Sequence, residues 1–129
     1  MQLHLSVSDV PIYLQIVQQI KHLVATGRLA PGEELPPIRA LAQQLVVNPN
    51  TVARAYRELA SAGVLSNRRT AGTYVAEGAP RVAREQCLGV LAERIDALLA
   101  EARLVNVGVD DLLDLIRQRD EVARQGKEK

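Results

Sequence analysis

Two short helical patterns meet across a tight junction, and that junction most constrains what this chain can fold into. Ile38, Leu41, Ala42 and Leu45 share one helical face, and Val52, Ala55, Tyr56 and Leu59 share a second. Between them stands Asn48-Pro49. Asparagine accepts hydrogen bonds from the free amides of a first helical turn, and proline suits the first helical position, where no amide is required. Pro36-Pro37 opens the first helix of the pair, and Gly63 stops the second.

The flanking segments complete a recognisable order. Upstream, Leu3, Leu5 and Val7 alternate with polar residues and predict a short strand. Pro11 then opens a helix whose apolar spacing, Ile12, Ile16, Ile20, Leu23 and Val24, runs to Gly27. Pro31-Gly32 marks a turn. Downstream, Val64-Leu65 and Thr73-Tyr74-Val75 are brief β runs around a polar stretch, residues 66–72, that predicts a hairpin. Three helices and a hairpin in this sequence predict a mainly α fold with a small β-wing, the winged helix-turn-helix.

Composition shifts near Glu77–Pro80, with five of the six prolines already passed. The expected organisation is a winged helix-turn-helix DNA-binding domain over residues 1–78 and a two-helix antiparallel dimerisation tail over 79–129. In the tail, Leu88, Leu91, Ile95, Leu98 and Ala102 step alternately by three and four, the spacing of a coiled-coil seam. Asn106–Gly108 interrupts it. Asp110 and Asp111 then fall in the first turn of another helix, where acidic groups suit the dipole. Val109, Leu112, Ile116 and Ala123 continue a similar seam, broken by Arg119. Chains of ~40–50 residues rarely hold a core alone, so a second copy is expected on Leu88, Leu91, Ile95, Leu98, Ala102, Leu112 and Ile116.

Several classes are excluded by content. No apolar stretch approaches the ~20 residues of a membrane span, and the first residues lack the basic and apolar regions of a secretory signal. Cys87 is the single cysteine; it reads as a small packing residue, with redox sensing the less favoured role. No metal motif, phosphate-cradling glycine loop or Ser/His/Asp order is present. A cytoplasmic non-enzyme without cofactor is expected. Sixteen Lys and Arg against fifteen Asp and Glu give a net charge of only +1, which at first argues against nucleic acid. Residues 1–78, however, carry seven basic against five acidic groups, and the tail carries nine against ten.

The basic residues also have a pattern. Asn50, Arg54 and Arg57, at i, i+4 and i+7, occupy the face of the second junction helix away from its apolar stripe, with Thr51 and Glu58 beside them. Such a helix fits the major groove, where arginine bridges two acceptors of guanine and asparagine pairs with adenine. Asn48 and Thr51 suit phosphate contact near the helix start, and Arg39 faces the backbone or groove edge. Arg68 and Arg69 at the hairpin tip suit phosphates or a flanking minor groove. Double-stranded DNA is the expected partner. A winged-helix module that contacts protein instead is the alternative, opposed by Arg54 and Arg57.

The chain from Val10 to Val75 resembles the GntR family of bacterial transcription regulators. The resemblance rests on PIYLQI (Pro11–Ile16), GRLAPGEELPPIRALA (Gly27–Ala42), NPNTVARAYRELASAGVL (Asn48–Leu65) and GTYV (Gly72–Val75). It implies DNA contacts by Arg39, Asn48, Asn50 and Thr51, base reading by Arg54, and a close backbone approach by Gly72 and Thr73. Two positions depart from the pattern. Pro37 stands where the family usually has serine, and Thr70-Ala71 stands where its wing has a glycine followed by a basic residue. The short two-helix tail is similar to the YtrA-like branch, which implies dimerisation through the tail and regulation of transporter genes. An effector, if one exists, is unknown.

Overall fold

The structure is a computed structural model describing residues 1–68 and 72–127. Its elements are α1 (Ile12–Ala25), α2 (Ile38–Leu45), α3 (Pro49–Ser61), β1 (Leu65–Arg68), β2 (Gly72–Val75), α4 (Ala79–Leu104) and α5 (Val109–Lys127). The two strands form one antiparallel sheet, with Leu65 opposite Val75 and Arg68 opposite Gly72. This is the mainly helical winged helix-turn-helix order expected from the sequence. Among the described residues no helix is long and apolar enough to cross a membrane.

Two compact units are present, Met1–Leu88 and Gly89–Lys129. In the first, α1 and α2 both pack on α3. Ile16, Ile20 and Val24 of α1, Leu41 of α2, and Val52, Ala55 and Leu59 of α3 are fully buried. Each large aliphatic side chain hidden this way contributes about 1.5–3 kcal/mol. Tyr56 adds a directional tie: its hydroxyl donates to the Pro36 carbonyl at 2.7 Å, fixing α3 against the start of α2.

The helix ends follow from their capping residues. Asn48 Oδ1 accepts the Asn50 amide at 2.8 Å, and Pro49 occupies the first turn. At the other side of the junction α2 closes with a Schellman pair, the Val46 amide on the Gln43 carbonyl and the Val47 amide on the Ala42 carbonyl. That motif places Val46 in the left-handed region, at φ 56° and ψ 53°. Glycine is the usual occupant because a β-branched side chain strains there.

The wing is tied at its base and along one edge. Val64 and Ala76 join across its base, Ala76 donating to the Val64 carbonyl. On the outer side the Leu35 amide bonds the Thr73 carbonyl and the Val75 amide bonds the Glu33 carbonyl. The linker before α2 therefore covers the free edge of β2.

Two expectations are corrected or displaced by the structure. Residues 3–7 form no strand; Leu3 is buried, Leu5 half-buried and Val7 fully exposed. The segment runs alongside α1, where Gln15 and Gln19 replace a neighbouring strand. The Ser6 amide donates to Gln15 Oε1 and the Ser6 carbonyl accepts from Gln15 Nε2, both at 2.9 Å. His4 makes the same pair with Gln19, at 2.8 and 2.6 Å. Alternation of this kind also marks a ladder-paired strand, but here the backbone's partners are side-chain amides one helical turn apart. Separately, Gly78 marks where α4 begins rather than where the first compact unit ends. Ala79 and Ala83 are fully buried in that unit's core, so the start of α4 belongs to it.

In the second unit, the end of α4 turns through Asn106, at φ 58°, into α5. Ala102 and Leu112 are its buried hydrophobic residues, at 8% and 7% exposure.

Candidate nucleic-acid interface

The face of α3 opposite Val52, Ala55, Tyr56 and Leu59 points to solvent, as its period requires. Asn50, Arg54 and Arg57 are exposed there, and Thr51 is half-buried at its rim. Asn48, Asn50, Thr51 and Arg54 line one shallow hollow together with Ile12 and Tyr13 of α1. Arg39 and Asn48 line an adjoining hollow with Val46 and Val47. The structure thus brings five of the expected DNA-contact residues onto two neighbouring concavities. Arg57 lies outside both, one turn farther along α3.

Glu58 is exposed beside Arg54 and Arg57 but pairs with neither among the described residues. The ion pairs of the described residues are Arg81–Glu85, Arg117–Asp114 and Arg124–Asp120, all on α4 or α5. No carboxylate engages Arg39, Arg54 or Arg57 among the described residues. Donors at the α3 terminus are less free: the Asn50 amide is bonded to Asn48 Oδ1 and the Thr51 amide to the Asn48 carbonyl. Asn48 Oδ1 is thus engaged in the cap, and its Nδ2 group carries the side chain's donors.

At the wing, Gly72 is exposed and holds φ +98°, a conformation L side chains rarely adopt, and a Cβ there would meet Glu34 Oε1 at 3.2 Å. Thr73 is half-buried, and its hydroxyl bonds Asn67 Oδ1 at 3.1 Å across the hairpin. Arg68 ends β1; Arg69, Thr70 and Ala71 lie outside the described residues.

One partner of this surface was missed by the sequence reading. The Arg54 guanidinium carbon lies 3.7 Å from the centroid of the Tyr13 ring. Tyr13 shares the apolar face of α1, three and seven residues before Ile16 and Ile20, so its spacing reads as core packing. The residues are far apart in sequence, so helical spacing gave no hint of the pairing.

The expected dimer residues divide by burial. Leu88, Leu91, Ile95, Leu98 and Ile116 are 39–52% exposed, whereas Ala102 and Leu112 are buried within the single chain. Val90, Leu104, Val105, Val109, Leu113, Leu115 and Val122 add to the exposed apolar surface. Cys87 is half-buried.

Residues 12–75 match the family "Bacterial regulatory proteins, gntR family". The chain is 36% identical over 120 residues to the HTH-type transcriptional repressor YtrA of Bacillus subtilis, covering 93% of this chain and 92% of that protein. A crystal structure of a transcriptional regulator from Oenococcus oeni matches with a TM-score of 0.75 and 30% identity over 92% of this chain and 98% of that one. The DNA-binding domain of AraR, solved in complex with operator ORX1, matches with a TM-score of 0.51 and 32% identity over 59% of this chain and 92% of that one. The motif residues, the wing and the near full-length relative agree: this chain belongs to the gntR family of bacterial regulatory proteins.

Proposed function

We propose that the chain is a sequence-specific DNA-binding transcriptional repressor that acts in the cytoplasm as a homodimer on a two-fold-related operator. The observation that carries this reading is the exposed face of α3 bearing Asn50, Arg54 and Arg57, whose arginines form no ion pair among the described residues, with Arg39 and Asn48 beside it. The helix inserts into the major groove, Arg54 reads a base pair, and Arg39, Asn48 and Thr51 hold phosphates. The repressor named YtrA and the AraR–operator complex support the same reading by relationship. Homodimerisation is supported by the tail, whose apolar side chains exceed what a single chain buries. Transporter genes are the proposed targets, on the YtrA-like resemblance alone.

The test is selection of duplexes from random sequence by the full chain, followed by binding titrations at several salt concentrations. The expected result is a two-fold-related consensus and a linear fall of log affinity with log salt. Arg54→Ala should relax preference at one base pair per half-site, with a loss of about 1–3 kcal/mol. An unchanged preference in that variant refutes base reading by Arg54; the absence of any enriched sequence refutes the function.

A further inference from the structure

We propose that Tyr13 is a positioning residue for DNA recognition: its ring holds the Arg54 guanidinium in place for base reading before DNA arrives. This rests on the proposed function of Arg54. The guanidinium carbon sits at van der Waals distance, 3.7 Å, from the ring centroid. Planar stacking permits that approach, whereas an edge-on guanidinium would keep its carbon farther away. A stacked guanidinium keeps its N–H groups in its own plane, directed past the rim of the ring, so stacking consumes none of its donors.

The surroundings are consistent with presentation rather than structural anchoring. Arg54 is exposed, and no ion pair or hydrogen bond holds it among the described residues. Tyr13 is half-buried in the first turn of α1, with the core cluster behind it, so the platform is fixed while its guest faces solvent. Both line the hollow shared with Asn48, Asn50 and Thr51. A free arginine samples many rotamers and must be ordered when it binds. Ordering it beforehand favours the bidentate geometry that distinguishes guanine from other bases.

Tyr13 therefore affects sequence discrimination more than general DNA affinity. It contributes to recognition through Arg54, not by adding a charge of its own.

The experiment uses the full chain and a duplex selected from random sequence by the wild type, together with the same duplex altered at the base pair read by Arg54. Tyr13→Leu should weaken binding to the selected duplex by about ten-fold. It should shrink discrimination against the altered duplex and leave the salt slope unchanged, because no phosphate contact is lost. Tyr13→Phe, which keeps the ring face, should behave as wild type. Arg54→Lys should reduce discrimination in the wild type but reduce it little further in the Tyr13→Leu background. In the free protein, the Arg54 Nε–H resonance should be shifted by the ring current and return toward its random-coil position in Tyr13→Leu.

Full discrimination in Tyr13→Leu overturns the proposal, as does a loss in Tyr13→Phe equal to that in Tyr13→Leu, which would place the role in the hydroxyl. If Tyr13→Leu loses helical signal, the Arg54 resonance in the wild type and in Tyr13→Phe decides, and a random-coil position there overturns the stack. Should Arg54→Ala keep the wild-type preference, base reading itself fails. A sensitive Arg54 with a silent Tyr13→Leu sinks the positioning role alone.

Discussion

Replacing Val46 at the helix-turn-helix junction is expected to stabilise the protein. Its backbone is left-handed, at φ 56° and ψ 53°, and its side chain is 88% exposed. An L residue in this region costs roughly 1–2 kcal/mol, and β-branching places Val46 among its poorest occupants. With so little of the side chain buried, truncation sacrifices almost no packing. Val46→Gly removes the strain but loosens the unfolded chain, a penalty of about 0.4–1 kcal/mol. The net gain is therefore about 0.5–1 kcal/mol. Val46→Asn tolerates the same backbone without the glycine entropy, so its gain is about 1 kcal/mol. Val46→Ala keeps a Cβ and gains least.

Urea unfolding followed by circular dichroism reads the effect as a rise in midpoint at constant slope, all variants at one protein concentration. The corresponding melting temperature rises by roughly 3–6 °C. A fall in midpoint for both Val46→Gly and Val46→Asn would refute the reasoning, since it would mean that the side chain is covered rather than solvent-facing. Val46 also lines the hollow that holds Arg39 and Asn48. A variant that gains stability but loses operator affinity would show that the strain supports a DNA contact.

Three further outcomes are expected. Gln15 is 7% exposed and bonds Ser6 at both its amide and carbonyl, and the Val10 carbonyl at 3.0 Å; Gln15→Leu should cost about 2 kcal/mol and speed hydrogen exchange at the Ser6 amide, and retained protection there would contradict the clamp. Burial lifts the Tyr56 phenol above its ordinary value of 10.0. Folding thus favours the neutral phenol, and its contribution is intact below pH 10 and lost as pH rises beyond it; Tyr56→Phe should flatten that alkaline loss in urea melts, and an unaltered limb would refute the assignment. Ile95, half-exposed at 52%, should lie in the tail interface. Ile95→Asp should shift sedimentation from dimer to monomer while leaving helical signal intact, and a wild type that is already monomeric at tens of micromolar would contradict the interface.

What was legible in the sequence was local. Pro11, Asn48-Pro49 and Gly63 each act on the turn they occupy, so they place helix ends without knowledge of the rest of the fold. The inward faces were legible for the same reason, since Val52, Ala55, Tyr56 and Leu59 are neighbours by helical period. What failed was pairing at a distance. Leu3, Leu5 and Val7 carry a strand's alternation, yet nothing in that pattern states that Gln15 and Gln19 will satisfy the backbone instead. The Tyr13–Arg54 stack depends on how α1 crosses α3. The compositional shift at Gly78 located the start of α4 but not the use of its first turns, because Ala79 and Ala83 resemble tail residues until the core encloses them.

The near-neutral net charge becomes intelligible when placement is set beside it. Under the proposed function each copy presents few cations to a groove, among them Arg39, Arg54 and Arg57, while the tail carries slightly more acid than base. A single copy neutralising three or four phosphates has a salt slope of only about −3 to −4, too shallow for tight binding by charge alone. Two copies joined through the tail double the slope and turn the second half-site contact into an intramolecular event. Affinity then depends on association as much as on basicity. Specificity depends on a few ordered side chains rather than on a strong field. A chain built this way avoids strong attachment to arbitrary DNA, since general attraction scales with total charge. Under the proposed function, the exposed Leu88, Leu91, Ile95 and Leu98 seam supplies affinity through association and the exposed Arg54 face supplies specificity.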